Sequence, residues 1–589
     1  MKYRLRKEFT TNPDMALSEI LSDRGVEDLQ NFLNPTFACE LSPYNLENIE
    51  AGAEMLLKHL RANNSILFIQ DCDVDGITSS AILWLYIKQL FPQANLEFRV
   101  HEHKQHGMDD MIDWMEEASR WQLVIAPDSS SYDIEEHQRL NEIGIDCLVL
   151  DHHEQAYDDY GNPIISDAPR TIVINNQLSP KYRNKSLCGA GVVYKFCEVL
   201  DDILGVQLAS EFLDLVALGE IADVMDRTDP ETNYLMLTGL KNIKNEGLRT
   251  LIEGQSFSLK EKANPPYEGL TPIDIAFYIA PLLNSITRVG TLQDKMASFY
   301  CFVDPHRAMP STKRGAKDGD TEEAAEQTMR VGKNCKSRQD KLKEQALGII
   351  DFKIQKDGLD DNNIIFVEID EQDKILPELT GLVAMNVVSK YHKPVMIGRR
   401  NANNEVKGSI RSSGNFAGLP NFKEFLENSK LMTFTAGHDN AAGFGINGNK
   451  VDQLINRANT TLSAKDFDNC YVVDYILDAN NNNAELIASI AAHPEYFGNH
   501  IEEVYFVIKN IPLSNVMLMG ANRDSVKITH NNIYYVKFKD EEFASEIMEN
   551  RMKTLTVYGR GNLNYWAGQY SVQIFINDYE LVDVDKYAF

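Results

Sequence analysis

Along the N-terminal half of the chain, short unbroken apolar runs alternate with longer stretches of helical spacing. SILFIQ (65–70), QLVIAP (122–127) and DCLVL (146–150) contain runs of the length and composition of buried strands. Between and around them AGAEMLLKHLRA (51–62), SSAILWLYIKQLF (79–91), MDDMIDWMEEASR (108–120) and IEEHQRLNEIG (134–144) read as helices, with LEFRV (96–100) a further strand. This alternation predicts right-handed βαβ units and a mainly parallel sheet. The strands at 65, 122 and 146 end on DCDVD (71–75), on Asp128 and on Asp151-His152-His153. In an open parallel sheet the ligand site lies beyond the carboxyl ends of the strands. These acidic and imidazole groups are therefore expected at one edge.

The remaining pattern divides the chain further. Residues 1–50 read as short helices and turns, and 51–307 as the first α/β domain. SLCGAGVVYKFCEVL (186–200) reads as a Gly-broken helix, and FLDLVALGEIADVMD (212–226) as an apolar helix carrying Asp223, which is costly to bury unless paired or bound to metal. IAFYIAPLLNSITRVG (275–290) places Asn284 and Arg288 after an apolar helix. The polar, charged stretch 308–350 reads as a connecting helix after a Lys/Gly-rich loop. A second α/β unit covers 351–462, with small residues around His438 that suit close backbone approach to a ligand. From 463 to 589 short alternating strands predict a small OB-like β-barrel. Its Tyr535, Tyr558, Arg560, Tyr565, Trp566 and Tyr570 suit stacking on bases, and equally suit a barrel core and rim.

Composition narrows the function. The 589 residues carry 87 Asp and Glu against 58 Lys and Arg, a formal net charge of −29. That excludes a protein that coats nucleic acid non-specifically, while leaving room for a local basic groove or a metal site. The opening MKYRLRKEF has no secretory leader pattern and no apolar run reaches membrane-spanning length, so a cytoplasmic location and no membrane partner are expected. Eight scattered cysteines without a CxxC pair fit reduced structural thiols.

The chemistry centres on Asp71, Asp73 and Asp75. On an extended segment, residues at i, i+2 and i+4 face one side, and three such carboxylates repel unless a hard divalent cation lies between them. Gly76 would allow the sharp exit, with Thr78, Ser79 and Ser80 as caps for the next helix. Taken alone, DxDxDG equally suits a solvated acidic turn.

The order DxDxDG, PDS, DHH, ADV resembles the DHH phosphoesterase superfamily, and GLVAM, KGSIRS and AGHDNAAG resemble its companion DHHA1 domain. With the N-terminal extension and the C-terminal barrel, the whole is similar to the RecJ family of single-strand-specific 5′→3′ DNA exonucleases. The resemblance implies an α/β DHH domain with a mainly parallel sheet, a long connecting helix, a DHHA1 domain and an OB-like barrel. It implies two ions, Mn²⁺ or Mg²⁺, consistent with oxygen-rich ligands and an imidazole. Asp73 and Asp128 would hold one ion with Asp71 close by. Asp75, His152 and Asp223 would hold the other, Asp128 bridging. Asp151 would orient an imidazole, His153 would face the scissile phosphate, and water between the ions would attack it. Arg288 would clamp phosphate. Ser409, Arg411, Ser412 and His438 would meet the substrate, the second domain forming with the first a groove too narrow for duplex. Tyr558 and Trp566 would stack on bases. His103 and His106 lie where the family has a loop near the 5′ end, although a solvated cluster fits them too.

The activity implied is degradation of single-stranded DNA to 5′-mononucleotides in DNA repair and recombination, with a helicase and single-strand-binding protein as partners. Departures from the family pattern are Ala436-Gly437-His438 for GGH, Ser129-Ser130 for a frequent Cys-Gly, and Asn284-Ser-Ile-Thr-Arg288 for a more Ala/Gly-rich run. Two alternatives stand beside this activity. A small-substrate DHH enzyme, either a phosphodiesterase acting on nanoRNA or cyclic dinucleotides or a pyrophosphatase, would generally lack the N-terminal segment and barrel. A non-catalytic replication scaffold would be expected to have lost a carboxylate.

Overall fold

The computed structural model describes residues 1–101, 107–108, 120–157, 162–414, 416–467, 470–566 and 569–583. The chain forms two units. The larger comprises Leu21–Arg338 and Pro494–Glu502, the other Met1–Ile20, Gln339–His493 and Glu503–Phe589.

The larger unit is built on a five-stranded parallel sheet of β1 (Ser65–Gln70), β2 (Asn95–Val100), β3 (Leu123–Pro127), β4 (Asp146–Asp151) and β5 (Thr171–Asn175). The spatial order is β2-β1-β3-β4-β5, so the direction of winding reverses between β1 and β3. Alternate side chains bury into opposite cores. Ile66, Phe68, Leu123, Ile125, Leu148 and Leu150 join the main helical layer, which includes α1 (Val74–Leu90), α2 (Gly189–Leu204) and α3 (Leu213–Ala222). Leu67, Ile69, Val124, Ala126, Cys147 and Val149 pack with Trp121 and Leu140 on the other face. Each fully buried Leu or Ile contributes roughly 1.5–3 kcal/mol, so a sheet covered on both faces gives the strand ends a firm base. Among the described residues no helix is long and apolar enough to cross a membrane.

Further along, α4 (Ala280–Val289) precedes a short antiparallel pair, Ala308–Pro310 with Thr321–Glu323, and then α5 (Ala324–Asp357). The connecting helix expected over 308–350 thus begins later. Gly315 and Gly319, both at positive φ, shape the hairpin loop, and the helix starts where AAEQ supplies strong helix formers. The helix expected to be broken by glycine in 186–200 is continuous from Gly189, because its glycines lie in the first turn, against other elements. The helix expected over MDDMIDWMEEASR falls almost wholly outside the described residues.

The second unit contains a five-stranded mixed sheet of β6 (Ile365–Glu368), β7 (Val395–Arg400), β8 (Glu405–Arg411), β9 (Met432–His438) and β10 (Ala441–Asn447), with α6 (Thr380–Tyr391) against it. Its other sheet has seven strands, β11 (Tyr475–Asp478), β12 (Tyr505–Pro512), β13 (Val516–Met519), β14 (Ser525–His530), β15 (Ile533–Lys537), β16 (Thr554–Trp566) and β17 (Gln569–Val582). They run in the order β11-β12-β16-β17-β15-β14-β13.

Within the larger unit a buried ion cluster fastens the residues around Glu40 to α2. Lys195 Nζ on α2 lies 2.7 Å from Glu40, 2.9 Å from Glu198 and 3.1 Å from Glu231, and Leu41 N donates to Glu231. Burial pushes Glu198 up to about 8 despite the ammonium beside it. Removing the cation at the centre of such a group leaves like charges buried together. Lys195→Met is expected to lower unfolding free energy by about 3–5 kcal/mol, read as a shifted midpoint in urea denaturation. An unchanged midpoint would dismiss the cluster as a structural element.

Candidate active site

The site lies where β1, β3 and β4 end, at the point where the winding reverses, the position expected for a ligand in such sheets. The chain leaves β1 at Gln70, and Asp73 caps α1 by accepting from Gly76 N at 3.1 Å. Asp75 is therefore already in the first helical turn. The expected extended alternation of Asp71, Asp73 and Asp75 does not occur; a tight turn brings the carboxylates together instead, because capping wins over continued extension. Thr78, Ser79 and Ser80, expected as caps, are buried in the helix body, where Thr78 Oγ1 donates to Val74 O and Asp75 O.

Gly76 serves close approach rather than a turn. A Cβ there would lie 2.6 Å from Asp71 Cβ and 2.7 Å from Asp71 O. A Cβ on Gly189 would lie 2.5 Å from Asp128 Oδ1, and one on Gly219 2.6 Å from Asp75 Oδ1. Asp75 accepts from Gly189 N at 2.6 Å and Ala190 N at 3.0 Å, so the amino end of α2 holds it with its partial positive charge. These small-residue contacts were not read from the sequence. The CGAG run was visible, but the carboxylates it meets are far away along the chain, 114 and 115 positions in the case of Asp75.

Asp128 follows β3 in a left-handed conformation, φ 67°, with Ser130 at 78°. The Asp128 amide donates to Leu150 O at 2.7 Å, which sets the turn against β4. Asp223 lies just past α3, at its C-terminal cap, with its side chain about a third exposed at 32% rather than buried within a helix. Asp151 Oδ1 accepts from His152 N at 2.7 Å, His153 N at 3.2 Å and His153 Nδ1 at 2.7 Å, while Oδ2 accepts from Ser131 N at 3.0 Å. Asn175 Nδ2 donates to Ser131 Oγ and His153 O, both at 3.0 Å.

The expected metal ligands come together. Donor atoms of Asp71, Asp73 and Asp128 form one group within 4.8 Å, those of Asp75, His152 and Asp223 a second, and those of Asp128, His152 and His153 a third. His152 Nε2 is 3.2 Å from Asp128 Oδ1, 3.6 Å from Asp223 Oδ2 and 3.8 Å from Asp75 Oδ2.

Crowding is visible in the titration of these groups. Burial, then the charges of Asp75, Asp73 and Asp71, lift Asp128 far above the carboxylate range, and burial and the same neighbours lift Asp223 to about 8. Burial lowers His152. His153 goes the other way. Burial would lower it, but Asp151 against its Nδ1 outweighs this and raises it to about 10. Asp151 is itself held low because, against its burial, the His153 contact and charge favour the carboxylate. Five carboxylates and a neutral imidazole around one cleft are a hard, oxygen-rich donor set that fits divalent cations. Asp128 Oδ1, buried and accepting no hydrogen bond, fits a ligand oxygen.

Arg288 lies within α4 rather than after it, half-buried, one turn beyond Asn284. Burial lowers its pKa and the nearby Asp73 charge opposes that. Thr287 Oγ1 donates to Cys72 O at 2.7 Å and so pins α4 to the acidic loop, a contact without a sequence signal.

In the second unit, Ser409 Oγ lies 2.9 Å from Thr380 Oγ1, Arg411 Nη1 donates to Ile410 O at 2.7 Å, and Ser412 is buried with its amide on Asn440 O. The backbone of His438 ends β9, paired with Ala441. The side chains of His438 and Trp566, and the whole of His103 and His106, lie outside the described residues. Tyr558 is corrected as a base-stacking residue. It is buried and stacked between Tyr471 and Tyr505, with ring centroids 4.1 and 5.0 Å away, so both its faces are covered. Tyr535 is fully buried, and Arg560 pairs with Glu503 at 2.5 Å. Tyr565 and Tyr570 are exposed and adjacent, with centroids 4.8 Å apart.

Residues 65–220 match the sequence model of the DHH family, N-terminal domain, and residues 473–578 that of the RecJ OB domain. The chain is 34% identical over 599 residues to a putative SPbeta prophage-derived single-strand DNA-specific exonuclease, YorK, of Bacillus subtilis (strain 168), across 99% of this chain and 98% of that protein. It is 25% identical over 579 residues to the single-stranded-DNA-specific exonuclease RecJ of the same strain, across 95% of this chain and 67% of that one. The crystal structure of RecJ in complex with Mn²⁺ from Thermus thermophilus shares its fold, with a TM-score of 0.69 at 20% identity, covering 98% of this chain and 79% of that chain.

Two outcomes follow from this geometry. Ser130 holds a left-handed backbone that glycine adopts without a Cβ penalty, so Ser130→Gly is expected to raise stability by about 1 kcal/mol in urea unfolding. Raised carboxyl pKa values mean that, without metal, the folded site keeps protons that the unfolded chain has lost, so stability falls as pH rises toward 8. A divalent ion displaces those protons. Mn²⁺ should therefore raise the thermal midpoint more at pH 8 than at pH 6, and Asp128→Asn should remove most of the shift. Equal shifts at both pH values would contradict this.

Proposed function

The chain belongs to the RecJ family of DHH proteins, and on that premise we propose that it is a metal-dependent exonuclease that removes 5′-mononucleotides from the 5′ end of single-stranded DNA. The observation that carries the reading is the sharing of ligands. Asp128 and His152 each belong to two of the three donor groups, so the groups adjoin as a paired-ion centre needs, and of the two residues the Asp128 carboxylate, with two oxygens, is the one able to serve both ions. Asp71, Asp73 and Asp128 would hold one ion, and Asp75, His152 and Asp223 the other, with Asp128 common to both; Mn²⁺ and Mg²⁺ suit the donor set. When bound, such ions lower the pKa of water and neutralise charge on the phosphate.

The protein's own groups supply the rest. Asp151 fixes the His153 ring through Nδ1. That leaves Nε2–H of a cationic imidazole to donate to a phosphoryl oxygen as negative charge builds there. Arg288, with its planar fork, takes an adjacent phosphate. No side chain is needed as nucleophile, and the proposed reaction passes through no covalent intermediate. Ser409, Arg411, Ser412 and His438 are the proposed substrate contacts of the second domain. Family membership supports a helicase and single-strand-binding protein as partners, and a cytoplasmic setting.

The test uses single-stranded DNA labelled at the 5′ end, beside 3′-labelled and duplex controls, with Mn²⁺. Immediate release of labelled mononucleotide from the 5′ end alone is expected, with a fall of about 10³-fold or more in Asp128→Ala. His153→Ala should lose about 10²–10³-fold in kcat. Hydrolysis of dinucleotides with no action on long strands would move the protein to the small-substrate branch.

A further inference from the structure

α3 ends in a turn that aims Asp223. The Asp223 amide donates to Gly219 O at 2.9 Å, Val224 N to Ile221 O at 3.2 Å and Met225 N to Glu220 O at 3.0 Å. These are the bonds of a helix end closed by a left-handed residue, a place that normally goes to glycine. Here the residue is Val224, at φ 57°, β-branched and in a conformation that crowds its Cβ. Packing of its side chain does not hold the turn, since Val224 is 52% exposed. A strained residue persists only where surrounding groups fix it.

The fixing groups come from Pro494–Glu502, the late piece of chain that belongs to the larger unit. Gly498 and Ile501 pair through both backbone bonds, at 2.8 and 3.1 Å, around Asn499 and His500, which are left-handed at φ 46° and 71°. Asparagine is favoured in such a two-residue turn for its backbone alone. Here its side chain is used as well. Asn499 is buried, and its Nδ2 donates to Glu220 O at 3.2 Å and Ile221 O at 3.5 Å, the two carbonyls that close the turn after α3. Arg227, fully buried, holds the segment in place. Its Nη1 donates to Glu495 O at 2.7 Å and Phe497 O at 3.4 Å, and its amide to Asn499 O at 3.4 Å. Its Nε and Nη2 donate to Asn233 Oδ1 at 3.1 and 2.6 Å. Asp223 thus stands between two fixed points, the helix end capped by Asn499 and the Arg227 anchor.

We propose that Asn499 is a positioning residue of the catalytic centre. By holding the strained turn at Val224 it sets the Asp223 carboxylate against Asp75 and His152, and with it the affinity of the ion that these three would share. The inference rests on the paired-ion reading and adds to it a residue outside the motifs, 279 positions beyond Glu220. Groups that orient a ligand, without touching the metal, govern how tightly it is bound.

The experiment measures Mn²⁺ binding by titration calorimetry in the parent, Asn499→Gly, Asp223→Asn and the double variant Asn499→Gly/Val224→Gly. Glycine at 499 keeps the left-handed backbone and removes only the amide. In Asn499→Gly one ion should bind about 10-fold or more weakly and the other as in the parent, the weakened ion being the one that Asp223→Asn also weakens. Val224→Gly relieves the strain that the amide opposes, so the double variant should recover most of the affinity. On single-stranded DNA, kcat of Asn499→Gly should fall at limiting Mn²⁺ and return at saturating Mn²⁺. Parent-like binding in Asn499→Gly would overturn the proposal. So would an equal loss at both ions, or a loss that Val224→Gly leaves unrepaired, either of which would make Asn499 a prop of the fold alone. If the parent bound no Mn²⁺, the paired-ion reading would fail. Hydrogen exchange of the metal-free protein would still decide the positioning role, with the Val224 and Met225 amides exchanging faster in Asn499→Gly and at the parent rate in the double variant.

Discussion

Five carboxylates held within one cleft repel one another, and much of the larger unit serves to keep them there. β1, β3 and β4 deliver Asp71, Asp128 and Asp151 to one edge. The amino end of α2 grips Asp75, Asp73 caps α1, and the turns after β3 and β4 surround Asp151 with N–H donors. Each anchor satisfies part of a carboxylate and leaves the rest turned toward the others. The protein cannot remove the repulsion by itself. Asp128 and Asp223 are pushed toward their protonated forms, and the metal-free cluster titrates as a group in which protons occupy the place of cations.

Two neighbouring imidazoles divide the remaining work. The rings of His152 and His153 have centroids 4.8 Å apart, yet their titration shifts in opposite directions. His152 is partly buried, its side chain 11% exposed, with Nε2 toward three carboxylates, and its lowered pKa favours the neutral ring a metal needs. His153 is half exposed and sits on Asp151, which keeps it cationic. Three consecutive residues thus combine a candidate ligand, a positive charge and the group that orients it. The difference comes from burial and from one hydrogen bond.

Much of this was legible in the sequence because it depends on local period and on order along the chain. Alternating apolar runs and helical stretches announced the parallel sheet, and the residues ending three of its strands announced the edge where chemistry sits. What failed had non-local causes. The alternation read into DCDVD gave way to a capping bond from Asp73 to Gly76 N, and Thr78 became a core residue because other helices cover α1. Tyr558 looks like an exposed aromatic among polar neighbours, but strands distant in sequence stack Tyr471 and Tyr505 on its two faces. The hold of α2 on Asp75 joins residues 114 and 115 positions apart, beyond the reach of any local pattern.

Behind three of the candidate ligand carboxylates stands a glycine with no room for a methyl group, Gly76 at Asp71, Gly189 at Asp128 and Gly219 at Asp75. Each glycine codon is one nucleotide change from alanine. A descendant of this gene could therefore lose hydrolysis in a single step while every acidic and histidine letter of its motifs stayed in place. An inventory of ligands would still count it among the enzymes.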